Sequence, residues 1–277
     1  MFRPSFALNH ILAPSLRTGA FFALCRAVGA TGAEIRNDLR DNAIMDGTSP
    51  AAVAADAEAA GIRILTINGL QRFNSWTAEC AAEAIGLAEY AEAVGAGALA
   101  LVPLNEGTGT EDGVRQRDLA LALKALKPIL DDRGIRGFVE PLGFETCSLR
   151  LKSEAVAAIG EIDGFSTFGL VHDTFHHHLA GETELYPDHT GIIHISGVVD
   201  PAIPIRGMRD AHRVLVDACD RLGTIEQLRL LSAAGIDVPL SFEPFSPEIQ
   251  TLSDPAASLA ESIGFIRTAM DRWRQTA

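Results

Sequence analysis

FGLVHDTF at 168–175 and GIIHISG at 191–197 read as buried strands, yet each carries a metal-binding side chain where an apolar residue belongs: Asp173 in the first, His194 in the second. RGFVEPLG at 136–143 and VPLSFEPF at 238–245 repeat the pattern with Glu140 and Glu243. A lone charge in such a run costs several kcal/mol to bury. Repeating that cost in run after run makes physical sense when the groups share one cation. These residues are the candidate ligands of a catalytic divalent metal.

Outward from these runs, short segments of β-branched or bulky apolar residues alternate with longer Ala-rich stretches of helical period. SFALNH at 5–10, GAEIRN at 32–37, RILTING at 63–69 and ALALVPL at 98–104 complete a set of eight candidate strands. Several of the intervening helices stop at a glycine just before the next strand, as at Gly61, Gly134 and Gly235. Eight βα units with strands apolar enough to be buried on both faces predict a closed (β/α)8 TIM barrel, with residues 1–277 as one domain. An open parallel sheet has the same periodicity. However, no GxGxxG follows the first strand and no GxxxxGK[ST] occurs, so dinucleotide and P-loop functions lose their usual support.

With 277 residues, 47% of them hydrophobic, the chain can bury a large core. A formal charge of -13 with only 23 Lys and Arg speaks against a nucleic-acid partner. The 4 cysteines are scattered without a CxxC pair, which predicts reduced thiols. MFRPSFALNH lacks the apolar segment of an export signal, and no run approaches the roughly 20 residues that span a bilayer. A soluble, cytoplasmic protein without a membrane partner is expected.

In a barrel of this kind, active sites form at the carboxyl ends of the strands. Glu140, Asp173, His194 and Glu243 fall near those ends on the fifth to eighth strands. Neighbouring strands lie about 4.8 Å apart, so inward-pointing groups at similar height converge on one ion. Three carboxylates and an imidazole form a mostly hard donor set. Manganese is the first choice, with magnesium, cobalt or zinc as alternatives. The competing reading is that one or two of them merely pair with Arg36 or Arg213 in the barrel mouth. Both glutamates precede a proline, in FVEP at 138–141 and SFEP at 241–244, which ends the strand's ladder and leaves the carboxylate at the rim.

The runs EIRND, TINGLQRFN, LVPL, VEPLGFETCS, GLVHDTFHHH, IIHIS and SFEPFSPE, in this order, resemble the xylose isomerase-like TIM barrels. These act as sugar and cyclitol isomerases or epimerases, and the likeness is greatest to the 2-keto-myo-inositol (inosose) isomerases. It covers essentially the whole chain and implies that the metal is held by Glu140, Asp173, His194 and Glu243. It also implies that His176 contacts a substrate oxygen. The implied substrate is a small polyhydroxy ketone, converted through a cis-enediolate with Glu140 and Glu243 as the acid/base groups. Homo-oligomers are common in such families. One departure is that Ser196 and Gly197 stand where many relatives have an acidic residue after the histidine, which bears on substrate identity and on how His194 is oriented.

Other residues at strand ends are open to two readings each. Arg36 reaches either a substrate oxygen or a carboxylate such as Glu34. Asn68 and Gln71 suit hydroxyl recognition or satisfy loop backbone, while Phe73 covers the site or packs beneath it. Of Arg206, Arg209 and Arg213 in the long segment 198–222, Arg213 is the candidate for substrate binding. The competing activities are a ketose 3-epimerase or a hydroxypyruvate isomerase. An apurinic endonuclease-like enzyme and a non-catalytic sugar-binding barrel are further alternatives. The endonuclease would need more histidine ligands and a basic surface.

Overall fold

The computed structural model of the protein describes residues 4–42 and 44–276. Residues 1–3, part of the stretch inspected for an export signal, lie outside the described residues. Parallel strands close into a barrel in chain order: β1 (Phe6–Asn9), β2 (Gly32–Arg36), β3 (Arg63–Gln71), β4 (Ala98–Val102), β5 (Arg136–Val139), β6 (Phe168–Asp173), β7 (Thr190–Ile195) and β8 (Leu240–Phe242). Each candidate strand overlaps one of them, β3 running two residues past RILTING and β7 starting one residue before GIIHISG, and β8 pairs back onto β1.

The helices are α1 (Thr18–Ala27), α2 (Pro50–Ala60), α3 (Ala78–Val94), α4 (Val114–Asp131), α5 (Lys152–Glu161), α6 (Thr174–Ala180), α7 (Thr224–Ala233), α8 (Pro247–Gln250) and α9 (Pro255–Thr276). Gly61, Gly134 and Gly235 all take positive φ, as the helix-stop reading requires. Most of the core lies between strands and helices, for example Leu123, Leu126 and Leu130 of α4 with Leu99 and Leu101 of β4. Among the described residues, no helix is long and apolar enough to cross a membrane.

A smaller cluster of Ala98, Phe138, Val171 and Ile192, with Leu65 against it, sets the height of the site. Side chains in a strand alternate faces, so Glu140, Asp173 and His194 each share the face of the apolar residue two positions earlier. They form the next layer toward the carboxyl ends. A bulge between β6 and β7 skips Gly191 and brings Asp173 into register with His194. A Cβ at Gly191 would lie 2.2 Å from the Phe138 ring, so glycine lets the bulge and the ring coexist.

Two strand readings are corrected. FGLVHDTF is strand only to Asp173, because the Asp173 side chain accepts the N–H groups of Phe175 and His176 and thereby caps α6. VPLSFEPF shortens to Leu240–Phe242, flanked by Pro239 and Pro244.

Behind β6, His172 bridges Lys152 Nζ at 3.0 Å and Gln227 Oε1 at 2.9 Å, tying the strand to α5 and α7. Burial lowers the Lys152 ammonium from 10.5 to about 8. Between those values the unfolded state binds more protons than the folded one, so stability rises with pH across that window. The rise across the window is on the order of 3 kcal/mol, and below it this group gives no pH dependence. Urea unfolding of wild type and Lys152→Met across this range should show that slope in the wild type and its loss in the variant. Equal slopes would contradict the assignment.

Candidate active site

At the carboxyl-terminal mouth, ligand atoms of Glu140, Asp173, His194 and Glu243 lie within 4.8 Å of one another, all on buried residues. His194 Nδ1 faces this group, 3.0 Å from Glu140 Oε1, 3.0 Å from Glu243 Oε2 and 3.9 Å from Asp173 Oδ2. Its Nε2 points the other way, 3.1 Å from the Glu34 carboxylate. The geometry fits a divalent cation: three hard oxygen donors and one imidazole nitrogen surround a single point, and like-charged carboxylates this close need a cation among them.

Arginines provide part of that positive charge. Arg213 donates to Asp173 Oδ2 at 2.5 Å, Glu243 Oε2 at 3.0 Å, Asp210 at 3.2 Å and Ser196 Oγ at 3.1 Å. It packs over the rings of Phe175 and Phe245. Arg36 is not paired with Glu34. It forms a fork onto Asp38, both bonds 2.8 Å, and reaches Glu243 Oε1 at 3.3 Å. Asn9 adds a donor to the same Glu243 oxygen at 2.9 Å.

The two glutamates therefore differ. Burial and then the neighbouring Glu243 charge push the Glu140 carboxyl up. Burial would raise Glu243 too, but His194, then Arg213 and Arg36, outweigh it and hold that carboxyl at about 2. Burial disfavours the His194 imidazolium, yet the charges of Glu243, Glu34 and Glu140 carry its proton affinity well above the usual range.

Above the cluster opens a cavity of 440 Å³. Arg36, Asn68, His176 and Arg213 all line it, together with Glu140 and Glu243. His176 stands on α6 with its ring edge-on to Phe144 and Phe175, and its buried Nδ1 has no hydrogen-bond partner, as a group kept for a ligand oxygen would. Gln71 reaches the cavity too, whereas Phe73 is buried in the main core and Cys147 turns its Sγ to the Leu149 carbonyl. Arg206 is exposed, facing Glu145.

Sequence reasoning left Asp38 unassigned and gave Glu34 only a pairing with Arg36. Glu34 is fully buried, a signal visible in GAEIRN only as a charge inside a strand. Burial would raise its carboxyl, but the His194 charge and hydrogen bonds from His194, Ser241 and Thr66 bring it down to about 2.

The family model of xylose isomerase-like TIM barrels matches residues 22–269, and the chain belongs to that family. A solved xylose isomerase domain-containing protein from Salmonella typhimurium is 32% identical over 96% of each chain, with a TM-score of 0.87. The IolI protein, solved with a bound zinc atom, is 20% identical over 97% of this chain and 98% of its own, with a TM-score of 0.81. L-Ribulose 3-epimerase is 17% identical over 99% and 97%, with a TM-score of 0.73. No curated protein matches the sequence.

Proposed function

We propose that the protein is a divalent-metal-dependent isomerase or epimerase of a polyhydroxy ketone, with inosose the first substrate to test and manganese the first metal. The observation that carries this reading is the convergence of Glu140, Asp173, His194 and Glu243 beneath a polar cavity. The zinc in IolI and the activity in the name of L-ribulose 3-epimerase support it by likeness.

A cation held by these residues would polarise the substrate carbonyl and acidify the adjoining C–H. The chain's own groups do the rest. Glu140 and Glu243 border the cavity, placed for one carboxylate to remove the proton next to the carbonyl. The same or the other group then returns it to the neighbouring carbon, or to the opposite face of the same carbon, through a cis-enediolate. His176 and Asn68 offer hydrogen bonds to hydroxyls from the wall.

The charge balance favours an unphosphorylated substrate. Each guanidinium lining the cavity already faces a carboxylate: Arg36 faces Asp38, Arg72 faces Glu106 at 3.6 Å, and Arg213 faces Asp173 and Asp210. Together with the net charge, this also disfavours an endonuclease-like role. Among the described residues, the four-residue group above is the one cluster that could hold a metal ion.

Elemental analysis of the purified protein should find close to one equivalent of metal. With manganese in deuterated water, deuterium should enter inosose beside its carbonyl. Exchange into another ketose instead would keep the chemistry and replace the substrate, as for a ketose 3-epimerase. Neither metal nor exchange would favour a non-catalytic sugar-binding barrel.

A further inference from the structure

We infer that Glu34 of β2 is the positioning residue of the metal centre: its carboxylate takes the Nε2–H of His194 and so fixes the imidazole with Nδ1 turned toward Glu140, Asp173 and Glu243. The inference rests on the metal reading above but concerns a residue outside the ligand set.

The tautomer follows from what surrounds Glu34. Ser241 Oγ lies 2.5 Å from one carboxylate oxygen and Thr66 Oγ1 lies 2.6 Å from the other. The amides of Asn68 and Asn9 add weaker donors at 3.4 and 3.5 Å. An ionised carboxylate only accepts, and each of these neighbours points a donor at it. The imidazole nitrogen at 3.1 Å must therefore present a hydrogen as well, so Nε2 keeps its hydrogen and the one that yields to a cation is on Nδ1, the nitrogen that faces the cluster.

Glu34 is fully buried and does not line the cavity, so it has no route to substrate. Its neighbours come from β1, β3 and β8, so the strand closure itself holds the carboxylate still. A histidine ligand with a carboxylate on its outer nitrogen is oriented and made more basic, and losing such a partner typically costs 10- to 100-fold in metal affinity. The chain has Ser196 and Gly197 just after His194, and the orienting acid comes from β2.

The test compares wild type and Glu34→Gln for manganese dissociation constant by chelator competition and for melting temperature with and without manganese. We expect the constant to rise about 10- to 100-fold and the manganese-induced rise in melting temperature to shrink. A merely structural glutamate would lower both melting temperatures alike and leave the constant within twofold of wild type, which would overturn the inference. The ¹⁵N–¹H correlation of His194 in wild type gives a second readout that needs no variant to fold. A hydrogen resident on Nε2 supports the inference, and a bare Nε2 overturns it. If wild type takes up no manganese, the metal reading fails, and the correlation still decides whether Nε2 carries a hydrogen.

Discussion

Asp173→Asn and His194→Ala should each lose bound metal and turnover together, while Glu243→Gln should keep weakened metal binding and still lose proton transfer. At Asp173 the two carboxylate oxygens have separate tasks. One of its oxygens caps α6 through the N–H groups of Phe175 and His176, and the other faces Arg213 and the cluster. Asparagine caps as well as aspartate, so the variant should fold, but with its one amide oxygen on the cap it turns an NH2 group toward Arg213 and the cluster, where a charged oxygen is needed. His194→Ala removes the one nitrogen donor. Glu243→Gln leaves three ligands and removes one of the two acid/base groups, for which a fall of about 10²- to 10⁴-fold in kcat is expected. Metal content and deuterium exchange, measured on the same preparations, check each variant. Full activity in both Glu140→Gln and Glu243→Gln would remove the proposed mechanism.

Arg213→Met should destabilise the metal-free protein strongly and the metal-loaded protein less. The guanidinium is fully buried between Asp173 and Glu243, and the rings of Phe175 and Phe245 exclude water from it. Removing one partner of such a group leaves its carboxylates uncompensated, a cost of about 3–5 kcal/mol. A divalent cation in the cluster restores much of the lost positive charge. Urea unfolding of both proteins, in chelator and again with manganese, gives four stabilities. The difference between variant and wild type should narrow with manganese. An equally large difference in both conditions would mean that the arginine and the cation do not share the same carboxylates.

The barrel and its four-residue cluster were legible because each of those residues is an anomaly. A charge in a doubly buried strand stands out, and the period of two assigns its face without any tertiary information. Glu34 was not legible in the same way. It has Arg36 two residues on, an obvious partner by sequence, and only barrel closure reveals that Glu34 meets His194 across the interior while Arg36 turns to Asp38 and Glu243. Helix α6 escaped because its seven residues are too few to display a helical period, and its start depends on a cap that is also a candidate ligand. His176 faces the cavity, and His177 lies behind it, its ring 5.0 Å from that of His172. Arg213 could be placed near the mouth by its loop, but its partners depend on how that loop folds back, with Gly197 and Val214 pairing in an isolated bridge.

That loop has a practical meaning for anyone reshaping this protein. Exchanging the segments that follow the strands is the natural way to give a barrel a new substrate, since the scaffold beneath is meant to be indifferent to them. Here the segment after β7 is not interchangeable trim, because it delivers the guanidinium that holds two of the three clustered carboxylates. A graft that discards residue 213 would remove a counter-charge from the floor of the cavity along with the old specificity. A successful transplant has to supply an arginine of its own.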